Sequence, residues 1–597
     1  MFHDLHSFNF FNISLNSHLH GRLLLRGTEL LWAPSRSIFF YVVLAAGMVP
    51  VHAQQRPDAG TILRETERQT LRIPPNLSPR RSPQTPTLRP ADEVRFQVQR
   101  FALEGVAILS QDQVQRVLQS YLVRDIGFFD LEGAMAAVAA AYEAEGWLAR
   151  VQVPEQDVVD GVVTLQIMEA RLGRIIVDGK GSPRLTQDRV QRTMTARQQR
   201  GQPLSLRHME RAVSVLADTP GAVVTAALAG GERDGETDIV VTVSDRDGVS
   251  GSVMTDNAGS RSTGAARVVT ALSVDNMLGL AEQVSSSLMS SEGTRYGLLG
   301  ASIPWGYEGW RVGASASALE YRLVAGSLAS AGAQGRASTL SLRAQYPVLR
   351  TASNNINASF TLEGKRFDNE ANAQNISSKG SVLMTATLSG DRTDALWGGG
   401  YLLWSSTLTA GRLDLSGNAD NLAADQAGPR TDGAYAKATA SLARLQQITK
   451  ATSLWLSVSG QASARNLDSS EKFSLGGSSL VRGFPNSEGT GDLGWLATVE
   501  VRHSLSPQWQ VAAFVDHGQI WLNHDTSHVA VDSPLPNRYA LSAAGLGLSF
   551  TPTSKLAFRM SAAQRLTANP GANPLTGADS DGTLAGTLLW VSANWFF

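Results

Sequence analysis

Residues 310–318 read Trp310-Arg311-Val312-Gly313-Ala314-Ser315-Ala316-Ser317-Ala318. As an extended strand, this segment puts Trp310, Val312, Ala314, Ala316 and Ala318 on one face. Arg311, Gly313, Ser315 and Ser317 fall on the other. The same period of two recurs downstream. In 355–363, Ile356, Ala358, Phe360 and Leu362 oppose Asn357, Ser359, Thr361 and Glu363. In 509–516, Trp509, Val511, Ala513 and Val515 oppose Gln510, Ala512, Phe514 and Asp516. The last segment sets Leu589, Val591, Ala593, Trp595 and Phe597 on one face. From Gly251 onward no helical spacing interrupts this pattern, and clusters of Gly, Asn, Asp and Ser separate the strands.

A soluble sandwich also alternates, but its outer face is rich in lysine and glutamate. Here the polar face is Ser, Thr, Asn and Gln. In lipid every backbone group must be paired, so strands that cross must close into a barrel with the apolar face outward and small polar residues inward. At roughly 20 to 24 residues per strand and connection, residues 248–597 fit an all-β transmembrane barrel of about 16 antiparallel strands.

Upstream the period changes. Residues 94–106 read as a strand, 111–130 and 131–145 as helices, and 148–153 and 162–168 as strands. The order is β-α-α-β-β. Residues 172–178, 186–200, 205–218, 222–228 and 237–243 repeat it, with Thr186 and Ser205 as expected N-caps. Two small α+β modules, 94–170 and 171–247, thus precede the barrel. Residues 71–93 form a linker; six prolines, four arginines and no acid fall within 71–90, a semi-rigid composition. Residues 54–70 hold a short helix, with Asp58 placed to cap it. The apolar run 38–51, preceded by Arg22, Arg26 and Arg36, reads as the core of an extended secretory leader covering 1–53.

The chain of 597 residues carries 52 Lys+Arg against 53 Asp+Glu, a balance that excludes a dedicated nucleic-acid binder. It has no cysteine, and therefore no disulfide, thiolate metal site or cysteine nucleophile. No G-x-S-x-G, H-E-x-x-H or G-x-x-x-x-G-K-[ST] occurs, so no catalytic residue is assigned. His524 and His528 lie four apart, but in a loop between strands, and no metal or cofactor site is read from them.

The informative pair of motifs lies late in the chain. Residues 471–484 read EKFSLGGSSLVRGF, and Phe514-Val515-Asp516-His517-Gly518 follows on a strand. Alternation turns Asp516 into the lumen. An arginine folded into that lumen needs a fixed carboxylate, and Arg482 with Asp516 is the obvious pair. Gly483 would permit the close approach of loop to wall. From periodicity alone, a surface arginine and an unrelated aspartate remain an equal reading.

Val481-Arg482-Gly483-Phe484 and Phe514-x-Asp516-x-Gly518 resemble the loop and strand signatures of the ShlB/FhaC/HecB haemolysin secretion and activation proteins. These are the TpsB transporters of two-partner secretion in the Omp85 superfamily. Pro154, Gln156 and Gly161 resemble a step late in that family's first POTRA module, although Gly146-Trp147 stands where Gly-Tyr is common. Gly201-Gln202-Pro203-Leu204 and Asp218-Thr219-Pro220-Gly221 resemble turns of the second. Asp256-Asn257-Ala258-Gly259 and Asp275-Asn276-x-x-Gly279 resemble the opening barrel strands. Phe597 resembles the aromatic ending that the barrel-assembly machinery reads.

The resemblance implies an outer-membrane transporter with its POTRA modules in the periplasm, where they take an unfolded TpsA-type exoprotein (a haemolysin, adhesin or toxin) for export through the barrel. It further implies outer-membrane lipid and the barrel-assembly machinery as partners, no enzyme activity, a plug role for the helix within 54–70, and an Arg482–Asp516 contact inside the barrel. The alternative is a barrel-assembly insertase of the BamA type, which usually carries more POTRA modules.

Overall fold

In the computed structural model, residues 57–70, 95–123, 125–178, 184–326, 329–528 and 535–597 are described. The leader 1–53 and the linker 71–93 lie outside them. The described chain begins with helix α1 (Ala59–Thr70), started by Asp58, whose Oδ1 accepts the Thr61 N–H at 2.8 Å.

The first module packs α2 (Gln111–Leu118) and α3 (Phe128–Ala144) on a sheet of β1 (Arg100–Glu104), β2 (Ala149–Gln152) and β3 (Val162–Glu169). β3 lies centrally, parallel to β1 and antiparallel to β2. Phe101, Val114, Leu118, Val138, Tyr142 and Leu165 fill its core. The expected single helix over 111–130 is broken. Val123 takes a left-handed φ of 56°, and Gly127 starts α3 in an extended conformation. Asp130 then accepts the Gly127 N–H at 3.3 Å. The expected strand 94–106 is likewise split: Phe96–Gln97 pairs instead with Asp125–Ile126.

The second module repeats the arrangement with β4 (Arg171–Asp178), α4 (Gln187–Met194), α5 (Leu206–Ala217), β5 (Ala222–Gly230) and β6 (Glu236–Asp245). β6 is central, parallel to β4 and antiparallel to β5. Thr186 and Ser205 cap α4 and α5. This module is clamped to the barrel turns on its own side. Arg211 is buried and donates to the carbonyl of Glu308 at 3.0 Å. Arg350 Nε donates to Asp218 at 3.0 Å, and Glu210 accepts the Ala352 N–H at 2.7 Å.

The barrel closes from β7 (Val249–Asp256) to β22 (Thr587–Phe596) through 16 antiparallel strands. On strand Trp310–Arg322, Ala314, Ala316 and Ala318 are exposed while Ser317, Leu319 and Tyr321 are buried. The outward apolar run from Trp310 to Ala318 is about nine residues, the length a tilted strand needs to cross the hydrocarbon. It ends at Glu320, which meets Arg336 at 3.2 Å. Inward, Thr387 bonds Thr407 at 3.0 Å and Ser405 bonds Ser441 at 2.8 Å across strands. The closing seam pairs β22 with β7 from Ser592↔Asp256 to Phe596↔Ser252, and beyond it Phe597 and Gly251 exchange two backbone hydrogen bonds at 3.0 Å. The Asn257 side chain extends it, donating to the Leu589 carbonyl and accepting the Val591 N–H, both at 2.8 Å.

Candidate functional site in the barrel lumen

The connection from strand Thr452–Ser463 to strand Leu493–Ser504 turns inward. Its neck is a short pairing of Phe473–Ser474 with Thr490–Gly491. Beyond the neck, Leu475, Val481 and Phe484 are fully buried. They pack with Leu496, Ile520, Tyr539, Leu541 and Ala543 of the wall. Burying three large apolar side chains contributes about 1.5–3 kcal/mol each, which holds the loop against the wall.

That apolar anchor carries Arg482 to the strand Trp509–Trp521. Its Nε and Nη2 fork onto Asp516 at 2.8 and 2.9 Å, and its own backbone N–H donates to the same carboxylate at 3.1 Å. Nη1 donates to Glu500 at 2.6 Å, and the guanidinium lies 3.2 Å from the Phe514 ring centroid. Thr498 donates a further bond to Asp516 at 3.0 Å, and Arg502 holds the other oxygen of Glu500 at 2.7 Å. Asp516 is completely buried, so the fork satisfies a charge that would otherwise be costly.

The motif glycines have steric causes. A Cβ on Gly483 would stand 2.8 Å from the Ala543 Cβ, and one on Gly518 would stand 2.6 Å from the Leu475 side chain. The strand glycine thus makes room for the loop. Two further residues grip the loop tip. Trp590 donates its indole N–H to the Arg482 carbonyl at 2.8 Å. Arg565 donates to the Gly483 carbonyl at 2.8 Å and covers the Phe484 ring at 4.6 Å.

Helix α1 lies against the base of this loop inside the barrel. Lys379 is buried and bridges Asp58 on α1 at 2.9 Å to Asp468 on the loop at 2.8 Å. Ser469 donates to Asp58 at 2.6 Å, Arg64 to the Ser469 carbonyl at 2.7 Å, and Ser487 to Glu65 at 3.0 Å. Glu471 meets Lys437 at 2.7 Å and Lys365 at 3.2 Å. The apolar side of α1, with Ala59, Ile62 and Leu63, packs on Leu319, Tyr321 and Phe367. A Cβ on Gly60 would sit 2.9 Å from Ser470, so helix and loop touch at backbone distance.

Sequence reading did not single out Glu500, Trp590, Lys365, Lys379, Lys437, Asp468 or Glu471. A lysine or glutamate on the otherwise Ser/Thr inward face was the available signal.

Pro154, Gln156 and Gly161 stand apart, in the first module. Gln156 donates to the Thr164 carbonyl at 2.8 Å and accepts the Thr164 N–H at 2.7 Å, so its amide replaces a missing strand partner. Gly161 adopts φ +66°, a turn that a side chain would strain, and Pro154 leads the chain into it. In the second module, Asp238 is buried, and its carboxyl is held below the usual aspartate range. The Arg174 backbone N–H, at 2.6 Å, is the chief cause; the Arg174 guanidinium adds to it and burial opposes it. Among the described residues no cluster of three or more His, Asp or Glu could hold a metal ion.

The haemolysin secretion/activation protein ShlB/FhaC/HecB family profile matches residues 235–550, just over half of the chain. The POTRA domain, ShlB-type, matches 96–170. Heme/hemopexin transporter protein HuxB of Haemophilus influenzae (strain 86-028NP) is 24% identical over 541 residues, covering 87% of this chain and 93% of its own. Outer membrane transporter CdiB of Dickeya dadantii (strain 3937) is 27% identical, covering 72% of this chain and 77% of its own. The solved structure of CdiB from Escherichia coli is similar with a TM-score of 0.66 at 21% identity, covering 91% of this chain and all of that one. The chain belongs to the haemolysin secretion/activation protein ShlB/FhaC/HecB family: it is an outer-membrane β-barrel transporter of two-partner secretion whose POTRA domain lies in the periplasm.

Proposed function

We propose that the chain exports one unfolded TpsA-type exoprotein through its barrel, that α1 gates the passage, and that the loop 464–492 must be held in place for transport. The carrying observation is that both occupy the lumen without being part of the wall: the loop is anchored by an apolar cluster and the Arg482 fork, and α1 by one apolar side and the Lys379 bridge. The polar contacts of α1 can exchange for water, so α1 can leave the lumen while the loop stays anchored by its apolar cluster and the 16-strand barrel stays closed.

In this reading the two α+β modules receive the exoprotein. Their sheets have open edges, which accept an extended chain by strand addition. Arg482, Glu500 and Asp516 hold the loop in its transport-competent position. The Ser- and Thr-lined wall then holds the sliding chain weakly, and folding of the exoprotein outside supplies the drive. Insertion of the transporter falls to the barrel-assembly machinery, with outer-membrane lipid against the apolar face.

The test is co-expression with a candidate TpsA-type exoprotein from the same genome. Wild type should place it in the medium. Arg482→Ala, at wild-type abundance and heat-modifiability in the outer membrane, should retain it in the periplasm. Normal export by that variant would sink the role of the loop.

A further inference from the structure

The unassigned feature lies on the outside of the barrel. Ala301, Ile303, Ala314, Leu342, Phe360 and Met384 face outward there and line an open groove of about 630 Å³. Alanines make the floor, and the larger side chains make the walls. Two residues nearer the periplasm, the groove meets Trp310 and Tyr346, whose rings lie 4.7 Å apart. That pairing is the aromatic boundary expected at headgroup depth.

Immediately below, the second module presents arginines. Arg197 donates to the Tyr346 hydroxyl at 2.5 Å, and the buried Arg211 covers the Tyr346 ring at 5.2 Å. Arg192 donates to the Tyr307 hydroxyl at 3.1 Å, and Arg189 and Arg192 both lie over the Tyr307 ring, at 5.7 and 5.5 Å. The acids facing these four are Asp188, 2.9 Å from Arg192, and Glu308, 3.3 Å from Arg197. Arg192 and Arg197 keep 59% and 36% of their side chains exposed, so they remain open to a second anion.

An apolar trough in the membrane face, an aromatic pair at its lower end and a cationic surplus beneath match the parts of one lipid in order. We propose that this is a seat for an anionic phospholipid of the periplasmic leaflet, with an acyl chain in the groove and the headgroup phosphate on Arg192 and Arg197. A second copy of the chain or a peptide would use the groove but leave the surplus charge at headgroup depth without a purpose. The proposal rests on the outer-membrane placement of the barrel. It gives the second module a hold on the bilayer in addition to its hold on the periplasmic turns.

The full-length transporter is relipidated in a mixture of phosphatidylglycerol and phosphatidylcholine, and retained lipid is counted by native mass spectrometry. Wild type should retain phosphatidylglycerol preferentially. R192Q/R197Q should lose about thirtyfold of that preference while keeping heat-modifiable barrel mobility. Ala314→Trp, which fills the groove from a lipid-facing position, should retain less of either lipid. Millimolar inorganic phosphate should fail to displace the lipid from wild type, because it lacks the chain. The proposal is overturned if wild type retains both lipids equally, if R192Q/R197Q keeps the preference, if Ala314→Trp retains as much lipid as wild type, or if phosphate displaces the lipid.

Discussion

Arg482 makes its contacts from two directions: the backbone N–H and the guanidinium both reach Asp516. Removing Arg482 leaves Asp516 fully buried without a cation, which costs about 3–5 kcal/mol, whereas removing Asp516 leaves Arg482 still paired with Glu500. Asp516→Ala should therefore loosen the loop, but less than Arg482→Ala does. The double variant should cost less than the sum, with a coupling of about 0.5–3 kcal/mol. Protease sensitivity of the loop in the folded barrel reads both, and strict additivity would show that the pair does not act as a unit. Lys379 belongs to the same scale. It holds Asp58 and Asp468 together, so Lys379→Met leaves two carboxylates facing one another and should free α1. In planar bilayers that variant should conduct more often than wild type. An unchanged open probability would remove Lys379 as the latch of α1.

At the scale of elements, the lumen segments and the modules are held by different physics. The loop is anchored by a small apolar cluster, whereas α1 combines one apolar stripe with a polar border. The second module depends on Asp238 beneath β4. A Cβ on Gly173 would fall 2.2 Å from its Oδ1, so strand and carboxylate are fitted to each other. Because the folded pKa lies below the ordinary value of about 3.9, the stabilisation is present above that pH and drains as acid carries the module through the lower, folded pKa. Hydrogen exchange over 222–245 in the whole chain should stay slow at pH 7 and accelerate below about pH 4. Asp238→Asn should be faster already at pH 7 and should flatten that dependence.

For the whole molecule, the modules and the barrel have separate cores. Deleting residues 94–170 should therefore abolish secretion and leave a heat-modifiable barrel in the outer membrane. Export by the deletant would remove this module as the receptor. The architecture was legible from sequence because burial imposes periods: two on the barrel strands, about 3.6 on the module helices. Alternation turned Asp516 inward, but from periodicity alone an unrelated aspartate was an equal reading; only the family signatures pointed to Arg482 as its partner. The break at Val123 and Gly127 was not legible, since apolar spacing runs across it and only backbone conformation interrupts the helix.

By itself the sequence determined the strand faces, the two α+β modules before the barrel and the loop signature, since each follows from local pattern. Only the tertiary structure decided that Lys379 joins Asp58 to Asp468, that Trp590 and Arg565 hold the loop tip, and that module arginines lie under a lipid-facing groove. Asp58 and Lys379 are 321 positions apart in the chain. No local period couples such residues; closure of the barrel brings them together.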